Sequence, residues 1–248
     1  MSNTRLRQLA GLLVALIALN AMLVFANRWP GLGVRLQWLL SGELALLLLG
    51  LGLWLRRGGG LDARVRAGVA ALLGVAVLFH YADVTSRALL GRPVNLYWDG
   101  QHAWQVLRMA GAEREWGKLL GALAGGILLL ALLHRLLSML LGWIAGALSH
   151  RQTASGVSLA AGLVAALWLL GPPLGLPVQQ VYAEPVSGTA LQQARAMARS
   201  MSAERREAQL PPSPAFDTDL SALGGADVLV LFVEAYGAIT LDKPQIAD

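Results

Sequence analysis

Cysteine is absent from the 248 residues. Disulfides, thiolate metal ligands and cysteine nucleophiles are excluded together. Charge is scarce too, at 14% of the chain, against roughly 25% in soluble domains. Aromatic residues supply 6%. Histidine stops at His150, leaving none for the C-terminal part of the chain. What remains is apolar: 56% of residues are hydrophobic, mostly Leu, Ala and Val, with 28 glycines besides. Helices exposed to lipid have this composition, because they pack through small residues.

The formal charge is +5, yet no nucleic-acid partner is expected. The arginines lie beside apolar runs, where cationic helix ends meet lipid headgroups. Membrane lipids are the expected surroundings. The expected fold is an all-α polytopic membrane bundle of about five transmembrane helices. A linker helix and the first β-strand of an incomplete α/β domain follow it.

The runs can be read in order. The first, 9–26, follows Arg5 and Arg7 and contains Asn20. It is long for a signal-peptide core and lacks a clear small-x-small cleavage site, so a retained anchor is expected. The second, 36–55, is flanked by Arg35 and Arg56-Arg57. At ~1.5 Å per residue it is long enough for the ~30 Å hydrocarbon core. It contains Glu43, an intramembrane acid that is by default a functional hypothesis. The plainer reading is a protonated Glu43, or one near the headgroups facing a neighbouring helix. The third run is 67–86, ending around His80, Tyr81 and Asp83. The fourth, 118–135, is followed past His134-Arg135 by Leu136–Leu148, expected to continue along the membrane interface with Trp143 at headgroup depth. The fifth, 155–171, stops at Gly171-Pro172-Pro173. Arginines divide almost evenly between the two sides. The tight cluster Arg56, Arg57, Arg64 and Arg66 sits in a short loop and favours an N-terminus inside. Five spans then put the C-terminal part outside the cytoplasm.

The polar segment from Arg87 to Trp116 reads as a loop. Tyr97 and Trp98 suit an aromatic belt. Arg92 suits a phospholipid headgroup oxygen, because guanidinium grips phosphate with two parallel donors. His80, His102, His134 and His150 are scattered without ligand spacing, so packing or solvation is expected of them. Gly58-Gly59-Gly60 and Gly125-Gly126 follow no strand and are not nucleotide-binding loops.

Residues 1–174 thus form the membrane domain, and 175–215 a linker with a helix over 189–208. Residues 216–248 open a further domain. There Val228-Leu-Val-Leu-Phe-Val233 follows Gly224-Gly225-Ala226-Asp227 and ends at Glu234. Six apolar residues between turn signals predict a strand buried on both faces, as in a parallel sheet. An acid at the carboxyl end of such a strand lies where α/β folds place chemistry.

The stretch Ala226-Asp-Val-Leu-Val-Leu-Phe-Val-Glu-Ala-Tyr-Gly237 resembles the opening strand of the sulfatase-like domain in the alkaline phosphatase superfamily. The arrangement of helices, connecting helix and terminal domain is similar to membrane-anchored members such as lipoteichoic acid synthases and phosphoglycerol transferases. Gly91-Arg-Pro-Val-Asn-Leu-Tyr-Trp-Asp99 is also similar to segments of bacterial sulfatase-like membrane proteins. The resemblance implies a multi-pass protein of the bacterial inner membrane. It would hydrolyse or transfer phosphate or sulfate esters outside the cytoplasm with a divalent metal (Mn, Mg, Ca or Zn), and Glu234 would be a metal ligand. Such enzymes carry their Ser or Thr nucleophile and further Asp and His ligands downstream. No catalytic nucleophile is expected among these residues, because Thr240 stands too near the strand. The expectation is therefore the N-terminal part of a longer enzyme, inactive as it stands. Two readings of other classes remain open: a scaffold or accessory subunit whose tail takes a partner's strand, and a small transporter using Glu43, His80 and Asp83.

Overall fold

The computed structural model describes residues 3–29, 31–112 and 116–207, together with Gly224, Asp227 and Leu229. Its order is α1 (Asn3–Val24), β1 (Ala26–Arg28), β2 (Gly33–Arg35), α2 (Gly42–Arg56), α3 (Ala63–Leu90), α4 (Leu96–Ala112), α5 (Trp116–Leu148), α6 (Arg151–Leu170) and α7 (Val186–Glu207). Two short 3-10 turns, Pro172–Leu174 and Val178–Gln180, lie between α6 and α7. β1 and β2 form a small antiparallel hairpin, with Asn27 opposite Val34. The protein is mostly helical, and four helices are long and apolar enough to cross a membrane: α1, α3, α5 and α6.

Five helices run alternately up and down. At one end, His150 Nε2 lies 2.9 Å from Gln8 Oε1, tying the start of α6 to α1. At the other end, His80 Nε2 lies 2.8 Å from the Phe25 carbonyl oxygen, tying α3 to the end of α1. α5 packs against α1 and α3, and α2 packs along α6. The tightest part of the core sits between α1 and the second half of α5. Leu19, Leu137, Leu140, Leu141 and Ile144 are almost wholly buried there.

The α2–α6 pair meets through small residues. A Cβ on Gly42 would overlap the Trp168 ring, and one on Gly52 would overlap the Ser158 hydroxyl. The two glycines stand nearly three turns apart on one face of α2, so the backbones approach closely along its length.

Several expected boundaries shift. The run 36–55 is not helical throughout: α2 begins at Gly42 and has 15 residues. Residues before it are held in extended form. Leu40 N–H donates to Val181 O at 2.8 Å, and Ala183 N–H donates to Leu40 O at 3.1 Å. Asn20 fixes the corner, donating to Leu39 O and accepting from Ser41 N–H. The Ser41 hydroxyl then caps α2 by accepting from Leu44 N–H.

The break expected after 118–135 does not occur. α5 is one helix of 33 residues. His134-Arg135 removes no backbone donor and so does not end a helix. Arg135 lies within α5 rather than in a loop. The segment 136–148 is the buried half of α5, not an interfacial continuation; its first half is largely exposed.

The loop expected over 87–116 contains α4. Asn95 caps it, its Oδ1 accepting from Tyr97 N–H at 3.1 Å and Trp98 N–H at 3.2 Å. α3 extends beyond 67–86 because Asp62 caps its start and Gly91, at φ 66°, takes the left-handed position at its end. α6 opens at Arg151 and ends at Leu170, against the expected 155–171. The linker helix expected over 189–208 spans Val186–Glu207. The strand expected over 228–233, and Glu234 with it, lie outside the described residues apart from Leu229.

Candidate functional site

The polar groups of the bundle gather at the end where α1, α3 and α6 finish and α7 begins. Glu43 is the centre of this belt. It stands in the first turn of α2, half-buried, with its side chain reaching the first turn of α7. Val186 N–H donates to Oε2 at 2.9 Å and Ser187 N–H donates to Oε1 at 2.7 Å. The first N–H groups of a helix have no partner within it. A carboxylate is the best acceptor for them, because its charge also offsets the positive end of the helix dipole. Glu43 therefore serves two helix starts, its own and that of α7. Of its expected placements, the one the structure shows is against a neighbouring helix, α7.

Tyr182 fixes the chain just before α7. It is buried and its hydroxyl donates to Val164 O on α6 at 3.0 Å. Glu184, exposed, stands 3.9 Å from Arg87. Arg87 in turn donates from Nε to Asp83 at 2.8 Å, one turn back on α3. Asp83 is buried, and its Oδ1 has no hydrogen-bond partner among the described residues. On α7, Gln193 is buried and accepts from Leu96 N–H, at a long 3.4 Å. α4 and α7 thus lie together over the end of the bundle.

Arg92 is committed to another partner. Its Nη2 lies 2.6 Å from Asp99 Oδ1 and its Nη1 3.2 Å from Asp99 Oδ2, a two-pronged pair. Asp99 Oδ2 also accepts from Asn95 N–H at 2.7 Å. The Arg92 hydrogen bond holds the Asp99 carboxyl below its ordinary range, and that same bond raises the Arg92 guanidinium. The fork expected to meet a lipid phosphate is thus engaged in capping α4. Trp98 is half-exposed and its ring meets Tyr97 edge-on, centroids 5.0 Å apart.

No known protein family, curated protein or solved structure matches the chain.

The three groups that would carry transport are each held by the fold: Glu43 by α7, His80 by Phe25, and Asp83 by Arg87. Among the described residues no group of three or more His, Asp and Glu side chains could hold a metal. Glu234, the expected ligand, lies outside the described residues, and one carboxylate does not complete a metal site. What the described residues build is an attachment: a polar belt that fixes the start of α7 to the end of a helix bundle.

Sequence reasoning found Glu43 as an unusual group but not its partner. The pair is separated by 143 positions, and no local pattern announces it. The Asn95–Asp99 cap was open to discovery: Asn followed by an acid within one turn is a helix-start signal.

Proposed function

We propose that residues 1–174 are the membrane anchor of an extracytoplasmic, metal-dependent enzyme similar to the sulfatase-like members of the alkaline phosphatase superfamily. α2 is counted as the fifth span, with the N-terminus inside. The enzyme would hydrolyse or transfer phosphate or sulfate esters. α7 would hold its catalytic domain at the membrane face.

The observation that carries this reading is in the sequence: an unbroken apolar run, Val228–Val233, closed by Glu234. It follows a helix whose start is fixed to the bundle by two hydrogen bonds from Glu43. A rigid mount is what a catalytic domain needs to stay at a fixed height above a membrane-bound ester.

The test uses the gene read beyond codon 248, expressed in full. Membranes are assayed with bis-p-nitrophenyl phosphate and p-nitrophenyl sulfate, after chelation and after return of Mn, Mg, Ca or Zn. Turnover should depend on the metal, and Glu234→Gln should lower it at least about 100-fold while membrane insertion is unchanged. Full activity in Glu234→Gln would overturn the reading, as would ester cleavage by the purified 248-residue chain.

A further inference from the structure

A second feature stands beneath α7. Between α2, α3 and α7 runs a slot of about 630 Å³, open on one side to the surroundings of the bundle. Its α3 wall is a single helical face, with Val69, Leu72, Ala76 and Phe79 at intervals of three and four. α2 supplies Leu44 and Leu47, and α7 supplies Ala190, Ala194 and Met197. Along this wall Leu72 is 74% exposed and Val75 66%, while Val69, Ala76 and Phe79 are half-buried against the core.

Three properties separate this slot from an ordinary lipid-facing surface. It is walled on three sides, whereas a lone helix offers one. Its length is matched to a chain: α3 rises about 15 Å from Val69 to Phe79, half of the ~30 Å hydrocarbon core and so the depth of one leaflet. Its polarity is segregated. The polar groups that line it, Glu43, Ser187 and Gln193, come from the first turn of α2 and from α7, while α3 presents only apolar side chains along its depth.

We propose that the slot holds one acyl chain of a membrane lipid from the leaflet next to α7. The chain end lies against Val69 and Leu72. Its ester end lies at the level of Ser187 and Gln193, whose hydroxyl and amide groups are donors suited to ester oxygens. The Glu43 carboxylate is taken up by the α7 amides, so it does not repel a headgroup as a bare charge would. Small residues on α7, Ala190 and Ala194, leave room for the chain. The lipid then fills the space under α7 and packs against the helix that Glu43 anchors. This inference concerns the membrane domain alone and does not depend on the enzymatic reading.

The experiment uses the 248-residue chain in phosphatidylcholine nanodiscs. Each is doped with phosphatidylcholine carrying a photoreactive diazirine at the end of one acyl chain. Labelled peptides are mapped by mass spectrometry. Label should concentrate on 69–73 relative to Leu163 and Leu167 of α6, which are also exposed. Moving the diazirine close to the ester should move the label to Phe79 and Ala190. Leu72→Trp and Ala194→Trp fill the slot from opposite walls, at exposed positions. Each should cut the 69–73 label about five-fold and leave the α6 label unchanged. Two outcomes overturn the proposal: equal labelling of 69–73 and α6, or undiminished 69–73 label in a Trp variant that is folded by gel filtration.

Discussion

A carboxylate inside an apolar run has two physical outcomes: it stays charged with strong donors, or it loses its charge to the hydrocarbon. Glu43 meets strong donors. Its donors are the two leading amides of α7, which would otherwise be left without partners where the linker leaves the bundle. Hydrogen bonds to a charged group contribute about 1.5–3 kcal/mol net, and less where water can replace the lost acceptor, as at the exposed Ser187. Glu43→Ala should therefore loosen the start of α7 by about 2 kcal/mol, and Glu43→Gln by less, because the amide keeps one acceptor. Hydrogen exchange at Val186 and Ser187 is the measurement; protection should fall roughly 30-fold in the alanine variant. Unchanged protection would show that α7 is held by its apolar contacts alone. The acid was legible in the sequence as an anomaly. Its meaning was not, because the groups that answer it are brought near only by the fold.

At the scale of elements, hydropathy located the membrane helices but misplaced their ends. Apolar content says where a segment is content to be buried, not where its backbone bonds change. Those changes are made by Ser41 and Asn20 at α2, Asp62 and Gly91 at α3, and Asn95 at α4. α4 was missed because a polar, amphipathic helix carries no hydropathy signal, and its cap was the only local cue. Helix pairing was less legible still. Gly42 and Gly50 look alike in sequence, yet a Cβ on Gly42 would meet the Trp168 ring whereas one on Gly50 would meet nothing within 4 Å. Gly42→Ala should destabilise the α2–α6 pair by about 1–3 kcal/mol. Gly50→Ala should be neutral or mildly stabilising through helix propensity. Denaturation in mixed detergent, with the two variants side by side, checks this. Equal stability of the two would mean that the close approach of α2 and α6 is not needed.

For the molecule as a whole, the direction of the chain depends on α2. At 15 residues it rises about 22 Å, short of the hydrocarbon thickness. The stretch before it is extended and bonded to the segment at Tyr182, so the start of α2 is fixed by a neighbour. Counted as a span, it sends α7 to the side opposite Arg5. Reporter fusions test this: green fluorescent protein after Gly60 should fluoresce, and a phosphatase reporter after Pro185 should be active only outside the cytoplasm. Fluorescence after Gly60 together with an inactive phosphatase after Pro185 would place the two on one side and remove the extracytoplasmic reading. The metal ligand expected at Glu234 rests on a pattern in the sequence, and a pattern specifies residue types without bringing partners together.

α5 carries a consequence of its own. From Gly117 to Leu148 it is 32 residues long, about 48 Å from end to end, with Lys118 near one end and Arg135 midway. Leaning at about 40°, the upper end of the usual range, it still reaches across some 37 Å. A bilayer of ordinary thickness either swells around it or leaves one end, at Lys118 or at the bundle-buried Leu148, among the headgroups. The cheaper remedy is migration: given membranes of unequal depth in one cell, this protein should collect in the deepest.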